Sequence, residues 1–388
     1  MRSELGNPRL LRVMNERRLL DQLHREGPAS RADLAKVTGL SKPTVSAALA
    51  GLEEDGLVHL VGEVSGRPGP VTSLYDVNAA SAHVAGIDIG RNWIRVAVAD
   101  LRGAFAGRTD GRNTARTSAE LGELVAGLAR AAAREAELDW SAIVCAVVGS
   151  PGVYDQNAGR LDLAPNLPGP DLAERLRAAL NVDLVIENDI NLAAVGEHAY
   201  GEGRGKSNFA LVSIGTGVGM GIVVNGELYV GARGAAGEVS YIPAVEEQAV
   251  DQRDAREHGA TETLAAAPGV VRAARAAGLS LDTAKEVFAA AESGDRAALS
   301  VVAAEGRRIG GLLVAVAAVL DPEVIVLSGG VGHNLDLLGE AIQRRIAELG
   351  PLRPAVVASA LGDSGVLLGA VAHARGRAWD LIFSARMG

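Results

Sequence analysis

The stretch GIDIGRNWIRVAVAD, residues 86–100, has the pattern of a β-hairpin. Two runs rich in β-branched residues, 87–89 and 94–98, flank the turn Gly90-Arg91-Asn92. Backbone amides in a turn of this kind can point at an anion such as phosphate. Arg91 stands where a bound phosphate would need room, so the surroundings of the turn decide its role.

At 388 residues the chain is longer than a typical domain, and 48% of its residues are apolar, so we expect at least two domains. Its single cysteine, Cys145, lies inside an apolar run, which favours a buried, inert thiol and a reducing compartment. The N-terminus begins with charged residues, and the longest apolar stretch, 309–320, is too short to cross a bilayer. These features predict a cytoplasmic protein without membrane contact.

The net charge of −9 is unevenly distributed along the chain. Residues 1–76 carry ten basic and ten acidic side chains, so the acidic excess lies downstream. The first 50 residues carry nine basic and five acidic side chains. A modest positive charge of this kind favours a polyanionic partner.

Residues 30–60 have the pattern of a helix-turn-helix. Ser30, with Asp33 three residues later, can cap the first helix, and Leu34 and Val37 supply its apolar face. Residues 38–40 then form a tight turn before the second helix begins.

The second helix is capped by Ser41 and has Pro43 in its first turn, where no amide hydrogen is needed. Three apolar residues face inward at helical spacing: Val45, Leu49 and Leu52. A recognition helix presents its N-terminal end to base edges and phosphates, and small polar side chains occupy that end here. We expect DNA contacts from Ser41, Lys42, Thr44 and Ser46, with Ala47 exposed beside them.

Two strand-like runs, 57–63 and 72–77, follow and predict the hairpin wing of a winged helix. Arg67 at the wing tip is expected to enter a narrow minor groove. An earlier amphipathic segment, 9–25, would complete a three-helix core with Leu11, Leu19, Leu20 and Leu23. Residues 1–77 are thus predicted to form a winged helix-turn-helix domain that binds DNA. A helical protein-interaction module with a solvated loop is the alternative.

After a linker at 78–82, residues 83–388 alternate short β runs with helical segments, as in an α/β domain. Glycine-rich turns follow four strand-like runs, at residues 88–92, 147–155, 212–228 and 324–332. Glycine allows a backbone to approach a ligand closely. Any one of these turns could be purely structural, but together they indicate a ligand site.

The order of these turns, joined to IENDINLAAVGE (186–197) and GARGAAGEVSY (231–241), resembles the ROK family of repressors, open reading frames and kinases. The resemblance covers nearly the whole chain, because the repressor branch of that family adds an N-terminal winged helix. It implies that residues 83–388 adopt the two-lobed, actin-like ATPase fold of sugar kinases and serve effector binding and oligomerisation. A homodimer or homotetramer is therefore expected.

The resemblance also implies a set of sugar-binding positions. The hexose pocket of the family is matched by the glycine-proline turn Gly149-Ser150-Pro151-Gly152 and by Asn166. Asn188 would hydrogen-bond a sugar hydroxyl, and Asp189 matches the carboxylate that takes a proton from the hydroxyl to be phosphorylated. Glu238 and Glu262 match the two acids that hold hydroxyls on the other side of the ring.

Two places depart from the family's kinases. Tyr241 replaces a histidine, and no cysteine lies between it and Glu262, so we expect no zinc because a structural site needs about four N or S ligands. The Tyr241 hydroxyl can still donate to a ligand. In the first phosphate turn, Arg91 and Asn92 replace glycine and threonine, which should crowd a nucleotide phosphate. Arg91 can alternatively bind an anionic effector such as a sugar phosphate, although a scaffold or lobe-bridging role is favoured over that one.

We therefore predict a sugar-responsive transcription factor, a repressor, whose partners are operator DNA and a sugar or sugar derivative. It would use a degenerate kinase fold as its sensor, with Asp189 a vestigial base, and would hold no resident cofactor. The alternative is an active ATP-dependent sugar kinase with a DNA-binding domain, which Asp189 favours but Arg91, Asn92 and Tyr241 disfavour. A ligand-independent DNA-binding scaffold is the third possibility and predicts no saturable sugar binding.

Overall fold

A computed structural model gives the architecture of the chain. It describes residues 8–64, 72–155, 160–162, 169, 171–243 and 252–387. Within these residues the chain forms an N-terminal module and two α/β lobes, and no described helix combines the length and apolar character needed to cross a membrane.

The N-terminal module is a winged helix-turn-helix, as predicted. Its elements are α1 (Pro8–Glu26), β1 (Ala29–Ser30), α2 (Arg31–Thr38), α3 (Lys42–Glu54), β2 (Val58–Val64) and β3 (Thr72–Val77). Ser30 and Asp33 form the expected capping box of α2, and Ser41 caps α3 by accepting from the amide of Thr44. Gly39 makes the turn between the helices with a φ of 70°. The strands pair antiparallel in the order β1-β3-β2.

The prediction that Leu11 and Val37 belong to the core of this module is wrong. Leu11 is 51% exposed and Val37 is 58% exposed. Leu11 points away from the buried stripe of α1, which runs through Val13, Leu20 and Leu23. In α2 the buried stripe runs from Leu34 to Thr38, which turns Val37 towards solvent.

The core of the module is completed from the other end of the chain. The last helix, α14 (Gly365–Met387), inserts Phe383 among the buried leucines of α1 and α3, with Trp379 and Ile382 packed beside it. The sequence pattern of the first 77 residues did not predict this contribution. The winged helix-turn-helix module is therefore packed against the body of the protein and not connected by its linker alone.

The first lobe contains β4 (His83–Ile89), β5 (Trp93–Asp100), β6 (Phe105–Arg112), α4 (Ser118–Glu135), β7 (Ile143–Ser150), β8 (Val153–Asp155), β9 (Arg160–Asp162), α5 (Leu172–Leu180) and β10 (Asp183–Asn188). Its main sheet has the order β10-β7-β4-β5-β6. Strands β4, β5 and β6 are antiparallel neighbours, whereas β7 and β10 run parallel to β4. Helices α4 and α5 cover one face of this sheet.

The second lobe contains β11 (Phe209–Ile214), β12 (Val218–Val224), β13 (Glu227–Leu228), α7 (Gln252–His258), α8 (Ala260–Ala265), α9 (Ala267–Ala276), α10 (Ala284–Glu292), α11 (Arg296–Leu320), β14 (Val324–Ser328), α12 (Gly329–Gly332), α13 (Leu335–Leu349) and β15 (Val356–Ala358). Its sheet order, β15-β14-β11-β12-β13, repeats that of the first lobe, with the same parallel and antiparallel pairs. This repetition confirms the predicted two-lobed α/β fold.

Helix α6 (Asp189–Tyr200) packs on both sheets. Leu192 contacts the core of the first lobe, whereas Ala193 and Ala194 contact the core of the second. α6 also crosses α14 at very short range: a Cβ on Gly369 would lie 1.7 Å from the carbonyl oxygen of Leu192. The two backbones therefore pack against each other at this point without intervening side chains.

Cys145 lies in β7 and is fully buried. Its Sγ donates to the carbonyl oxygen of Ala374, 3.2 Å away, and burial raises the pKa of the thiol to about 12. The predicted burial of the thiol is confirmed.

Candidate functional site: a cleft between the lobes

A cavity of about 1040 Å³ opens between the two lobes. Of the predicted effector-binding residues, it brings together Asn188, Asp189, Glu238, Tyr241 and Glu262. The first two lie at the start of α6, and the other three belong to the second lobe. We refer to this cavity as the cleft.

Asn188 is the N-cap of α6. Its side-chain oxygen accepts from the amides of Ile190 and Asn191, at 2.9 and 3.1 Å, and its Nδ2 donates to the carbonyl oxygen of Gly152 at 3.0 Å. Sequence reasoning expected this side chain both to donate to and to accept from a sugar. The cap occupies its oxygen, so the remaining Nδ2 hydrogen is the group left for a ligand.

Asp189 begins α6, and its Oδ1 accepts from the amide of Ile190 at 2.9 Å. Burial, with a smaller contribution from the nearby carboxylate of Asp88, raises the pKa of Asp189 to about 6. A carboxylate in this range accepts a proton or a hydroxyl hydrogen bond readily near neutral pH. The group suits a proton acceptor, and it equally suits an anchor for a sugar hydroxyl.

Glu238 and Glu262 are the acids that the second lobe contributes. The Oε2 of Glu262 accepts from the amide of Val218 at 2.9 Å, which fixes the carboxylate beneath the turn between β11 and β12. Burial raises the pKa of both groups, and for Glu238 the charge of Glu262 adds to the increase. Two partly buried carboxylates near each other are suited to accepting hydrogen bonds from neighbouring hydroxyls.

Tyr241 is 44% exposed and donates its hydroxyl to the carbonyl oxygen of Glu257 at 3.3 Å. The Nδ1 of His258 lies 4.0 Å from the Oε1 of Glu262. Across the part of the chain that the structure describes, no three His, Cys, Asp or Glu residues are grouped to hold a metal ion. Residues 244–251 of this segment lie outside that part, so the absence of zinc stays a prediction.

The placement of Gly149 and Ser150 differs from the expectation, because neither residue lines the cleft. Ser150 is fully buried, and a Cβ on Gly149 would lie 2.7 Å from Cγ1 of Val366 in α14. The glycine therefore allows close packing of α14 on the sheet. The following residues, Pro151 and Gly152, reach the cleft wall, and Asn166 lies outside the described residues.

The turn between β4 and β5 does not offer its first amide to a ligand. The amide of Gly90 donates to the carbonyl oxygen of Trp93 at 2.9 Å and closes the hairpin. The exposed residue Arg91 lines both the cleft and an adjoining cavity of about 600 Å³.

An ion pair in the same hairpin was not predicted from the sequence: the buried carboxylate of Asp88 pairs with Arg95, 2.9 Å away on the next strand. Their positions opposite each other across the hairpin could have revealed it.

The predicted DNA-contacting end of α3 is accessible. Ser41 and Lys42 are exposed, and Thr44 and Ser46 are partly exposed, with Ala47 exposed beside them. The hydroxyls of Ser41 and Thr44 hydrogen-bond each other at 2.8 Å. Arg67 lies outside the described residues.

A polar contact that sequence reasoning missed joins α6 to the DNA-binding module. At the end of α6, the hydroxyl of Tyr200 accepts from Nη1 of Arg375 in α14 at 2.9 Å. Nη2 of the same guanidinium lies 2.6 Å from Nε2 of His24 in α1. Burial and the charge of Arg375 lower the pKa of His24 to about 4, so its ring is neutral at physiological pH and Nε2 can accept.

Residues 84–377 match the ROK family, which is three quarters of the chain. The chain belongs to the ROK family. Residues 13–67, which cover most of the winged helix-turn-helix, match the MarR family. This ROK chain therefore combines the two-lobed body of its family with a MarR-like module.

Its relatives include both a kinase and a repressor. The glucokinase of Halalkalibacterium halodurans is 34% identical over 57% of this chain and 73% of its own length. The xylose repressor of Bacillus subtilis is 26% identical over 62% of each protein. A solved ROK family transcriptional regulator, a homologue of the E. coli MLC protein, has the same fold, with a TM-score of 0.79 over 97% of this chain and 98% of its own at 21% identity.

Proposed function

We propose that this chain is a cytoplasmic, sugar-responsive DNA-binding regulator that acts as a repressor and as a homo-oligomer. The observation that carries the proposal is the direct connection between a DNA-binding module and a cleft suited to a polyol. The relationship to a xylose repressor supports it. The regulator would bind operator DNA in one arrangement of its lobes and release it when a sugar stabilises the other.

The chemistry of the cleft suits a sugar. Asp189, Glu238 and Glu262 supply six carboxylate oxygens at different points of its wall, and Asn188 adds an amide donor. Each carboxylate can accept from a pair of neighbouring hydroxyls, so several of them fix the orientation of a ring. Partial burial makes these hydrogen bonds stronger than they would be in open water.

The route from cleft to DNA-binding module runs through α6 and α14. α6 begins at Asp189 in the cleft and, at 1.5 Å per residue, ends about 18 Å away at Tyr200. There the contact of Tyr200 with Arg375 and of Arg375 with His24 reaches α1 of the module. A sugar changes DNA affinity only if it binds one arrangement of the lobes more tightly than the other. Helices α6 and α14 connect the sugar site to the DNA-binding module and can therefore couple the two.

The alternative function, an active sugar kinase, is favoured by the glucokinase relative and by the raised pKa of Asp189. Two features of the first phosphate turn count against it. Arg91 adds a long side chain where the family's kinases have glycine, and Arg95 neutralises Asp88, the acidic residue of that turn. We therefore infer that the turn is a degenerate phosphate site.

The DNA-binding half of the proposal can be tested with operator DNA selected from random sequences by the full chain. Replacing Lys42 and Thr44 with alanine should weaken binding by about 1–3 kcal/mol for each lost base contact. Gel shifts or fluorescence anisotropy would measure the affinity. Lys285→Ala, which removes an exposed lysine from α10 in the second lobe, is the matched control and should leave affinity unchanged. Equal binding by the folded double variant would contradict the recognition assignment.

The sensor half is tested with a panel of sugars added to the operator complex. The parent should release DNA at a saturating concentration of its sugar, whereas folded Asp189→Ala and Glu238→Ala variants should bind DNA normally and fail to respond. Hydroxyls buried without partners cost about 1–3 kcal/mol each, enough to cancel a modest differential affinity. Release of DNA by these variants at the same sugar concentration as the parent would refute the assignment of the cleft.

A coupled assay for ADP formation separates the regulator from the kinase. Phosphate transfer from ATP to any sugar in the panel should be no faster for the parent than for Asp189→Asn. A turnover that requires Asp189 would instead establish the kinase function. Both results are informative with the same purified protein.

A further inference from the structure

The cleft has two chemically different sides. Glu238 and Glu262 come from the second lobe, whereas the first lobe contributes two arginines to the lining, Arg91 and Arg116. A neutral sugar can hydrogen-bond to the acids and amides of the cleft, but it carries no negative charge to pair with two arginines. A hydrogen bond from a guanidinium to a neutral hydroxyl is weaker than an ion pair with the same geometry. The arginines therefore point to a ligand with an anionic group.

The two arginines stand on segments that are hydrogen-bonded to each other. The side-chain amide of Asn113 donates to the carbonyl oxygen of Gly90, and the backbone amide of Asn113 donates to that of Asn92, both at 3.0 Å. The segment that leads from β6 to Arg116 is thereby fastened to the turn that carries Arg91. Both residues line the same cavity.

Neither guanidinium has a hydrogen bond or ion pair to another group among the described residues. Other arginines of the same lobe are engaged: Arg95 pairs with Asp88, Arg108 pairs with Asp110, and Arg112 lies 4.3 Å above the ring of Trp93. Asp88, the acidic residue of the turn, is thus already paired with Arg95. Arg91 and Arg116 remain available for an anion that enters from outside.

The position of Arg91 between two cavities also favours a ligand with an anionic group. Arg91 and Ile190 line both the cleft and the adjoining cavity, so the guanidinium stands where the two spaces meet. Asp189 lines the cleft as well, so a sugar ring that contacts Asp189 can extend a substituent towards Arg91.

We propose that the ligand of the cleft is a phosphorylated monosaccharide, whose ring hydroxyls contact Asp189 and Glu238 and whose phosphate is held by Arg91 and Arg116. This inference rests on the proposed function, since it specifies the ligand of the same site. Two guanidinium forks match the three oxygens of a phosphate ester better than they match a planar carboxylate alone. The sugar acid is the competing anion that the experiment must separate.

Isothermal titration calorimetry of the full chain tests the proposal with matched pairs of probes. Glucose is compared with glucose 6-phosphate, and N-acetylglucosamine with its 6-phosphate, while glucuronate and inorganic phosphate test the anion alone. At least one phosphorylated sugar should bind ten or more times tighter than its neutral parent, and the advantage should shrink at high salt. Glucuronate should bind more weakly than the phosphate ester, and inorganic phosphate more weakly still.

Arginine variants test whether the preference for the phosphorylated sugar depends on Arg91 and Arg116. Arg91→Ala and Arg116→Ala should each remove most of the phosphate advantage while leaving affinity for the neutral parent sugar within about twofold. Arg134→Ala, which removes an exposed arginine from α4 of the same lobe, should change neither affinity. Retention of the full advantage in the Arg91→Ala, Arg116→Ala double variant would overturn the proposal, as would equal affinity for a phosphorylated sugar and its parent throughout the panel.

The outcome is distinguishable from that of the proposed function. If a phosphorylated sugar binds through the arginines but operator affinity does not change, the ligand assignment stands and the regulator fails. If a neutral sugar releases the operator and its phosphate binds no tighter, the regulator stands and the ligand assignment fails. If glucuronate or inorganic phosphate matches the sugar phosphate, the arginines form a general anion site, and the phosphorylated-sugar assignment is wrong.

Discussion

The two hairpins that line the cleft occupy corresponding positions in the two lobes, yet their side chains differ. In the first lobe, β4 and β5 are bridged by the Asp88–Arg95 ion pair, and Arg91 stands at the tip. In the second lobe, Ser213 stands opposite Gly219, and the tip is Gly215-Thr216-Gly217. The repeated sheet order gives both hairpins the same place in their lobes.

The difference shows how one scaffold can carry two kinds of contact. The second tip is made of small residues, so its backbone approaches the acids of the cleft closely: a Cβ on Gly217 would lie 2.8 Å from Oε2 of Glu262. The first tip instead projects a long, charged side chain into the cavity. The two tips therefore offer a ligand different groups from the same position in the fold.

The largest expected effect comes from breaking the charged pair of the first hairpin. Arg95→Ala leaves the buried carboxylate of Asp88 without its partner and should lower the free energy of unfolding by about 3 kcal/mol at pH 7.5. Ser213→Ala, at the position of the second hairpin that corresponds to Asp88, should cost less than about 1 kcal/mol. Urea denaturation measures both.

The pH dependence of the Arg95→Ala variant provides an internal check. Burial already raises the pKa of Asp88, and loss of Arg95 raises it further, so the carboxyl takes up a proton as the pH falls. The stability lost at neutral pH should therefore be partly regained near pH 5. An equal loss at both pH values would contradict the explanation by an unpaired charge.

The two tips should also differ in their tolerance of substitution. Gly217→Ala places a methyl group against Glu262, displaces its carboxylate from the amide of Val218, and should weaken binding of a neutral sugar by about tenfold to a hundredfold. Arg91→Gly should change the same affinity by less than about twofold. Titration calorimetry with a neutral sugar measures the affinity of both variants. Similar losses of affinity in the two variants would contradict the proposed difference between the tips.

Asp189, which lies between the two hairpins, should lower the free energy of unfolding at neutral pH. Its pKa is raised from 3.8 to about 6, so the folded state binds the proton more tightly than the unfolded state, and stability falls as the pH rises through that window. Asp189→Asn should therefore stabilise the protein at pH 8 by about 1–3 kcal/mol and flatten the curve between pH 4 and 6. Thermal unfolding across this range would show it, and a variant as pH-sensitive as the parent would contradict it.

A small effect on stability is expected at the far end of α6. Tyr200→Phe removes only the hydroxyl that accepts from Arg375 and should cost about 0.5–1.5 kcal/mol. Sugar affinity should stay unchanged, while the sugar-induced loss of operator affinity should fall several-fold. Anisotropy titrations with and without sugar measure this ratio. A full response in the Phe variant would show that α6 signals by another contact.

Local features of the fold could be predicted from sequence, and long-range ones could not. The caps at Ser30 and Ser41 were correct because they depend on residues three positions apart. The exposure of Leu11 was missed because a set of leucines does not by itself identify which stripe of a helix faces the core. Phe383 could not be assigned to the winged helix, since it lies more than 300 residues away in the chain.

The candidate site shows the same division. The family pattern predicted Asn188, Asp189, Glu238, Tyr241 and Glu262, and these residues line one cleft. It also predicted Gly149 and Ser150, which lie behind the cleft wall because β7 is packed by α14 at that point. Arg116 and the Tyr200–Arg375–His24 contact were missed, because nothing in the local sequence indicates which exposed arginine faces a cavity or joins two domains.

The central claim is that the cleft and the DNA-binding module are energetically coupled, and reciprocal titration tests it most directly. The affinity of the full chain for its operator is measured with and without saturating sugar, and its affinity for the sugar is measured with and without saturating operator. Linkage requires the two ratios to be equal, and we expect a ratio of about tenfold or more for the parent and close to one for Asp189→Ala. A ratio of one for the parent, with both ligands bound, would contradict the account.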